Sequence, residues 1–482
     1  MLQRELLHLK KNGAPSGQET NNMTKKPIRI AGGQGFYGDS PMAAIAIASE
    51  DAADYIVNDA LAELTLSILQ KDKMRDPELG YARDIELMAK ILYPLTYSKG
   101  IKIVSNSGGL NPLIAAKKVA EILTMQGITG VKIAAITGDD MITRMDEIQK
   151  GGNNLSHMDT GEPFSSVDYQ PTHANVYIGA SGVVSALEQG ADIILAGRVA
   201  DPCLTLGILV HHFGWDMEKD LDKLAAGITV GHLLECGGQA SGGNSYAEWP
   251  MDYPLSNLGY PIAEINEDGS ATFSKLESQG GKMSRNTLRE QLVYEIHDPA
   301  NYLTPDVTVD LTEVEIIEEE ENKVQISGVK GKEKPEQLKL TIGLMEGYLS
   351  EQFFFMSWPN AYEKAVKMVN ASKEIWKRLP IQLERIEHNY VGINGIHGEA
   401  APMPDEEHLK SLNEVGVRLC LKHRDKRAGK LAMQSIVCLG LNGPPGVIAK
   451  PGWGKTAMAM LSLWPTLVDR SLIQEEVTII TS

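Results

Sequence analysis

Five times in the first two hundred residues a short apolar run stops on small or polar residues: IRIA before GGQGFYGD, YIV before NDALAE, IKIV before SNSGGLNP, VKIAAIT before GDD, and ADIILA before GRVAD. Continuous apolar runs bounded by turn residues predict strands covered on both faces. PMAAIAIASE, NPLIAAKKVAEILTMQG and SGVVSALEQG, which lie between them, carry helical spacing. Residues 27–304 therefore predict a Rossmann-like α/β domain, doubly wound around a mostly parallel sheet. Ligands of such sheets bind beyond the carboxyl ends of the strands, so the polar tips are expected to converge on one rim.

Residues 216–300 read as glycine-rich, polar loops that elaborate this domain. After Pro305 the texture changes. VTVDLTEVEIIEEEENKVQISGV alternates apolar and polar residues, KLTIGLMEGYLSEQFFF continues the strand character, and two helical patterns follow. This predicts a second, smaller α+β domain over 305–482, with Glu318 to Glu321 at a solvated hairpin tip. Residues 1–26 lack the continuous apolar segment of a secretory signal and are expected to form a disordered leader.

Charge narrows the ligand class. The chain has 46 basic and 63 acidic residues, a formal net charge of −17, which argues against nucleic acid or an anionic membrane as partner. A small molecule is expected instead, and an anionic one needs a local cation, for which Arg198 is the first choice. The four cysteines, Cys203, Cys236, Cys420 and Cys438, are scattered. They fit a reduced, cytoplasmic setting. No apolar run reaches the roughly 20 residues that span a bilayer.

Gly33, Gly35 and Gly38 spell G-x-G-x-x-G between a strand and a helix, and Asp59 closes the next strand. That is the outline of a dinucleotide loop and supports an alternative reading as an NAD(P)-dependent oxidoreductase. Phe36 and Tyr37 are bulky where backbone should be bare, and Asp39 would oppose a phosphate. The favoured reading is a tight turn that presents Asp39 to a ligand. Near the C-terminus, Ala449 to Thr456 imitates a phosphate-binding loop, but Ala449 replaces its first glycine and Pro451 removes a donor amide. It is read as a glycine-rich connection.

The remaining tips supply the candidate chemistry. Asp59 and Glu63 would share a helix face if a helix starts at Ala60. Asn111 and Pro112 suit a helix N-cap and its first residue, which leaves Asn106 and Gly108 to meet a ligand. Asp139 and Asp140 either cap the next helix, form an acid–base pair, or hold a divalent metal through oxygen ligands. Arg198 can clamp a carboxylate, with Asp201 to orient it or act as base. His232 and Glu235 lie three apart and can meet as a general acid–base pair, whereas Cys236 has no neighbour that guarantees a depressed pKa. The catalytic candidates are thus Asp139, Asp201, His232 and Glu235, and the binding candidates Gly33, Gly35, Asp39, Asp59, Asn106, Gly108 and Arg198.

Taken together, IRIAGGQGFYGDS, NDALAELT, SNSGGLNP, GDD, GRVADPCLTLG, GHLLECGGQASGG, QLVYEIHDPANYLTPDV and NGPPG resemble the acyclic terpene utilisation family, the AtuA-like proteins, in the family's order. The resemblance implies a cytosolic catabolic protein that handles branched or terpenoid carboxylic acids as acyl-CoA thioesters. It supports the fold and the shared rim and assigns no acid or base. Ser245, in SGGNS, stands where the resemblance leads one to expect a bulky aromatic, which predicts a wider pocket. The expected activity is a lyase or hydratase acting on a branched or unsaturated acid or its CoA thioester. A homo-oligomer is expected; a noncatalytic subunit completed by a small partner is the further alternative.

Overall fold

The computed structural model describes residues 25–448 and 454–482. The leader expected over 1–26 lies outside the described residues except for Lys25 and Lys26, and so does the 449–453 part of the phosphate-loop imitation.

All five apolar runs are strands: β1 (Ile28–Gln34), β2 (Tyr55–Asn58), β3 (Lys102–Ser105), β4 (Lys132–Thr137) and, after β5 (Gln170–Val176) has left for a second sheet, β6 (Ile193–Ala196). They lie parallel and side by side in the order β1-β2-β3-β6-β4. Successive residues face opposite layers, as the pleat requires. Ile30, Val57, Val104 and Ile194 join a core with helices Ser181–Glu188, Cys203–Phe213 and Leu221–Leu234. Ala31, Ile56, Ile103 and Ile193 join another with helices Met42–Ser49, Asp84–Ile91 and Pro112–Met125. Covering on both sides is why these runs carry no polar alternation.

The sheet is larger and more mixed than its parallel centre. β7 (Ile262–Ile265) and β8 (Ala271–Ser274) extend it antiparallel beyond β1. β9 (Tyr302–Leu303) and β10 (Thr308–Asp310) belong to a small antiparallel sheet. The chain then returns as the hairpin β11 (Glu315–Glu320) and β12 (Lys323–Ser327), which completes the main sheet on that side. The acidic run caps this hairpin as expected, with Asn322 at positive φ in its turn. β13 (Lys330–Lys332) joins the small sheet.

The second sheet is antiparallel and built on β14 (Gln337–Ser357). β15 (Arg385–Val391) pairs with β16 (Glu414–His423), and β16, β17 (Val447–Ile448) and β18 (Lys455–Asp469) all pair with β14. β19 (Glu476–Thr481) crosses back to close the main sheet against β4. Strands from either side of residue 305 therefore share both sheets: β5 lies beside β14, while β11, β12 and β19 flank the parallel centre. Local pattern identifies a strand but not its partner, because pairing is decided by long-range packing.

Residues 216–300 also differ from the expected loops. Leu221–Leu234 is a buried 14-residue helix. Its glycines are contact points: a Cβ on Gly231 would sit 2.5 Å from the Pro202 carbonyl oxygen. Glycine, which reads as a loop signal in sequence, here permits close helix packing.

Ile194 is fully buried in the parallel centre. Ile194→Ala should cost about 2–5 kcal/mol, read as a lower urea midpoint at unchanged m-value. A loss below about 1 kcal/mol would contradict this placement of the core.

Candidate functional site

In-register pairing aligns the strand tips. Asn58 is opposite Ser105, and Ser105 is opposite Leu195, so Asp59, Asn106 and the Gly197–Asp201 loop emerge on one rim. Asp59 sits in a loop, since the helix begins at Glu63. Its Oδ1 accepts from the Leu61 amide at 3.1 Å, a local turn that fixes the carboxyl. The same oxygen accepts from Asn106 Nδ2 at 2.6 Å, and Asn106 Oδ1 accepts from the Ala60 amide at 2.7 Å. Asn106 Nδ2 lies 3.5 Å from Asp201 Oδ1, so this amide stands between two carboxyls.

Arg198 is the centre of the cluster. Its side chain is 2 % exposed and lies 3.0 Å from Asp201, whose side chain is 26 % exposed and forms the outward face. Nη1 donates to the Leu61 carbonyl at 2.7 Å. The guanidinium stacks 4.1 Å from the centre of the Tyr177 ring, while Lys339 Nζ lies 4.6 Å from that centre. Nε is buried with no hydrogen-bond partner.

Tyr177 and Lys339 arrive from the second sheet, where the Tyr177 amide donates to the Lys339 carbonyl at 2.9 Å. The Tyr177 hydroxyl and Lys339 Nζ both donate to Glu63 Oε1. Burial would raise the Glu63 carboxyl, but Lys339, Tyr177 and Arg198 overcome it and hold the group down at about 2.

The other carboxyls shift the opposite way. Burial pushes Asp59 up, reinforced by Asp201 and Glu235. Burial raises Asp201 against the pull of Arg198. Burial raises Glu235, helped by Asp201 and Glu295. Three carboxyls surround one guanidinium, so full ionisation would bury excess negative charge, and the group retains protons together.

His232 and Glu235 meet as their spacing predicts, with Nδ1 and Oε1 2.8 Å apart. His232 Nε2 lies 3.0 Å from the Gln291 carbonyl oxygen, which can only accept, so Nε2 carries the hydrogen. Burial lowers the ring to about 4. In the neutral ring Nδ1 is then an acceptor, and a protonated Glu235 donates to it. Glu235 Oε2 is buried and unpartnered. His232 thus has both nitrogens engaged, one with the Gln291 carbonyl and one with the Glu235 carboxyl that burial keeps neutral.

Several expected site residues have other work. Asp139 Oδ2 accepts from Asn175 Nδ2 at 2.7 Å and from the Arg198 amide at 2.9 Å. Its carboxyl, raised to about 6 by burial, anchors the Arg198 loop. Asp140 is exposed and accepts from the Ile142 amide at 3.0 Å, a local turn beside Met141, which holds the N-cap position of the next helical turn. The two side chains point to different tasks, and among the described residues no group of three or more His, Cys, Asp or Glu is arranged to hold a metal.

The glycine loop is filled from within. Gly35 donates its amide to Asp39 Oδ2 at 2.9 Å, and Gly38 donates to Asp84 at 2.6 Å. Asp39 also accepts from the Tyr260 hydroxyl at 2.8 Å. A Cβ on Gly33 would meet Asn58 Oδ1 at 2.3 Å, and one on Gly35 the Gly237 nitrogen at 2.5 Å. Carboxylates thus take amides that a pyrophosphate would need. Gly108 packs against the Ala196 carbonyl in the same manner. Asn111 stands at the N-cap position, but its side chain donates to Pro77 and Leu79 carbonyls. Burial raises the Cys236 thiol, contrary to a nucleophile. Ser245 is buried and donates to Glu290.

The structure therefore brings Asp59, Asn106, Arg198, Asp201, His232 and Glu235 together, and leaves Gly33, Gly35, Asp39, Gly108, Asp139 and Asp140 as framework. Tyr177, Lys339 and Gln291 carry no sequence signal; strand pairing or helix packing alone delivers them. Among the described residues no helix is long and apolar enough to cross a membrane.

Glu63 supplies a pH test. Its lowered pKa contributes stability that is present above about 4.5 and is lost as pH falls toward 2. Glu63→Gln should remove on the order of 1–3 kcal/mol at pH 6 and flatten the acid limb of urea stability below pH 4.5. An acid limb as steep as that of the wild type would refute the Lys339–Glu63–Tyr177 assignment.

A protein-family model, described as acyclic terpene utilisation family protein AtuA, matches residues 28–479. Comparisons with curated proteins and with solved structures found no match.

Proposed function

The chain belongs to the acyclic terpene utilisation family, with the role in acyclic terpene catabolism this implies, and from that premise we propose that it is a lyase or hydratase acting on a branched or unsaturated carboxylic acid or its CoA thioester. The observation that carries the reading is the excess of carboxyls over guanidinium at the rim. Adding water across a double bond places hydroxyl on one carbon and a proton on the other, and the reverse removes both. Either direction needs an ionised and a neutral acid within reach of the same substrate. Asp59, Asp201 and Glu235 around Arg198 supply that mixture.

Asp201 is the partly exposed member and is assigned the proton transfer to or from substrate. Asp59, linked to Asn106, is its counterpart, and Glu235, kept neutral by burial beside Asp201 and hydrogen-bonded to His232, is the reserve of acidity. Lys339, 38 % exposed, and Arg198 behind it orient the substrate carboxylate or thioester carbonyl and stabilise the enolate-like oxygen. Asp139 has no part in proton transfer in this scheme because its hydrogen bonds hold the loop.

Incubation with a branched α,β-unsaturated acid, and separately with its CoA thioester, in deuterated buffer should incorporate deuterium at the α-carbon as water adds. Mass spectrometry reads both events. Asp201→Asn should slow incorporation about 10²- to 10⁴-fold while the thermal midpoint stays within a few degrees. Wild-type exchange in a folded Asp201→Asn protein would dismiss the assignment.

A further inference from the structure

On the outer face of helix Arg285–Val293, away from Arg198, a cavity of about 990 Å³ runs between that helix and the edge strand β11. Its size is near the upper end of the 300–1,000 Å³ typical of small-molecule sites. Leu292, Val293, Leu311, Val314 and Ile316 make the lining predominantly apolar. Val293 is 57 % and Ile317 49 % exposed, so apolar surface is open to solvent there.

The charged residues around it are not equivalent. Glu290 is occupied, accepting from Ser245 Oγ and from the Tyr246 and Ala247 amides. Glu318 accepts from the Arg285 backbone amide at 2.6 Å. The guanidinium groups of Arg285 and Arg289 have no ion-pair or hydrogen-bond partner among the described residues, and Glu315 is the one lining carboxylate equally without a partner. Two free cations and one free anion beside an apolar trough stand out on a chain of net charge −17. Unpaired arginines at the edge of apolar surface suit a ligand that is apolar along its length and anionic at one end.

We propose that this groove is a second binding site, distinct from the Arg198 cluster, for an amphiphile with an apolar chain and an anionic carboxylate or phosphate head. The chain lies along Val293 and Val314, over the buried Leu292 and Ile316, and the head meets Arg285 and Arg289. The opposite face of the same helix holds Gln291 against His232, with its side-chain amide donating to the His232 carbonyl at 3.0 Å. A ligand in the groove therefore rests on the element that fixes the Glu235 carboxyl. The inference stands independently of the chemistry proposed at Asp201.

Isothermal titration of the full chain with decanoate, decanoyl-CoA, free CoA and decanol tests it. Decanoate or decanoyl-CoA should bind at least about tenfold more tightly than decanol, and decanoyl-CoA more tightly than free CoA. Tighter binding of the thioester assigns the phosphates as head, and tighter binding of the acid assigns the carboxylate; either upholds the site. R285A/R289A, which changes only exposed side chains, should weaken binding about tenfold or more, and Val293→Ser should weaken it through the chain. Binding that survives in R285A/R289A but is lost in Asp201→Asn would place the ligand at the rim and overturn the groove, so failure at the groove is separable from failure of the hydratase reading. Equal affinity for decanol and decanoate together with equal affinity for free and acylated CoA, or an undiminished affinity in R285A/R289A, would overturn the proposal.

Discussion

The burial of one guanidinium constrains the rest of this protein. Arg198 is almost wholly out of water, and an uncompensated charge there would cost several kcal/mol. Asp201, the Leu61 carbonyl and the face of Tyr177 compensate it, while Asp139 holds its backbone amide. These groups come from the ends of three parallel strands and from the junction with the second sheet. Their register must be right before the charge is tolerated, which ties the chemistry of the rim to the fold of the whole chain.

The same burial accounts for the acids. Asp59, Asp201 and Glu235 outnumber the one cation among them, and the low local dielectric makes each ionisation oppose the next. Glu63, only a short way along the chain from Asp59, behaves in the opposite sense because Lys339 and Tyr177 reach it. Neighbouring carboxyls are thus driven apart in acidity by their surroundings, the usual way a protein provides both an acid and a base near neutral pH.

Glycine has a second consequence. Gly32 and Gly35 approach the Leu234–Gly237 segment so closely that a Cβ on Gly32 would sit 2.5 Å from the Leu234 carbonyl oxygen and one on Gly35 2.5 Å from the Gly237 nitrogen. That approach brings the end of helix Leu221–Leu234, with His232 and Glu235, onto the rim formed by β1 and β2. Asp39 fills the loop's own amides, so a sequence that spells a dinucleotide fingerprint serves chain-to-chain packing.

The five strand runs, three of the helices between them, the acidic hairpin tip and the meeting of His232 with Glu235 were all legible in the residues, because each depends on periodicity or spacing within a short segment. So was the pairing of Arg198 with Asp201, since a cation and an acid three residues apart at a strand end have few places to go. What only tertiary structure decided was which tips face inward. Asp139 and Asp140 are adjacent in sequence yet divide between an anchor and an exposed turn, and Lys339 reaches the rim through a strand pairing more than a hundred residues removed from the nearest rim strand. The alternation of strand and tip along the chain determines where a rim can form; long-range packing and the cost of buried charge determine which side chains occupy it.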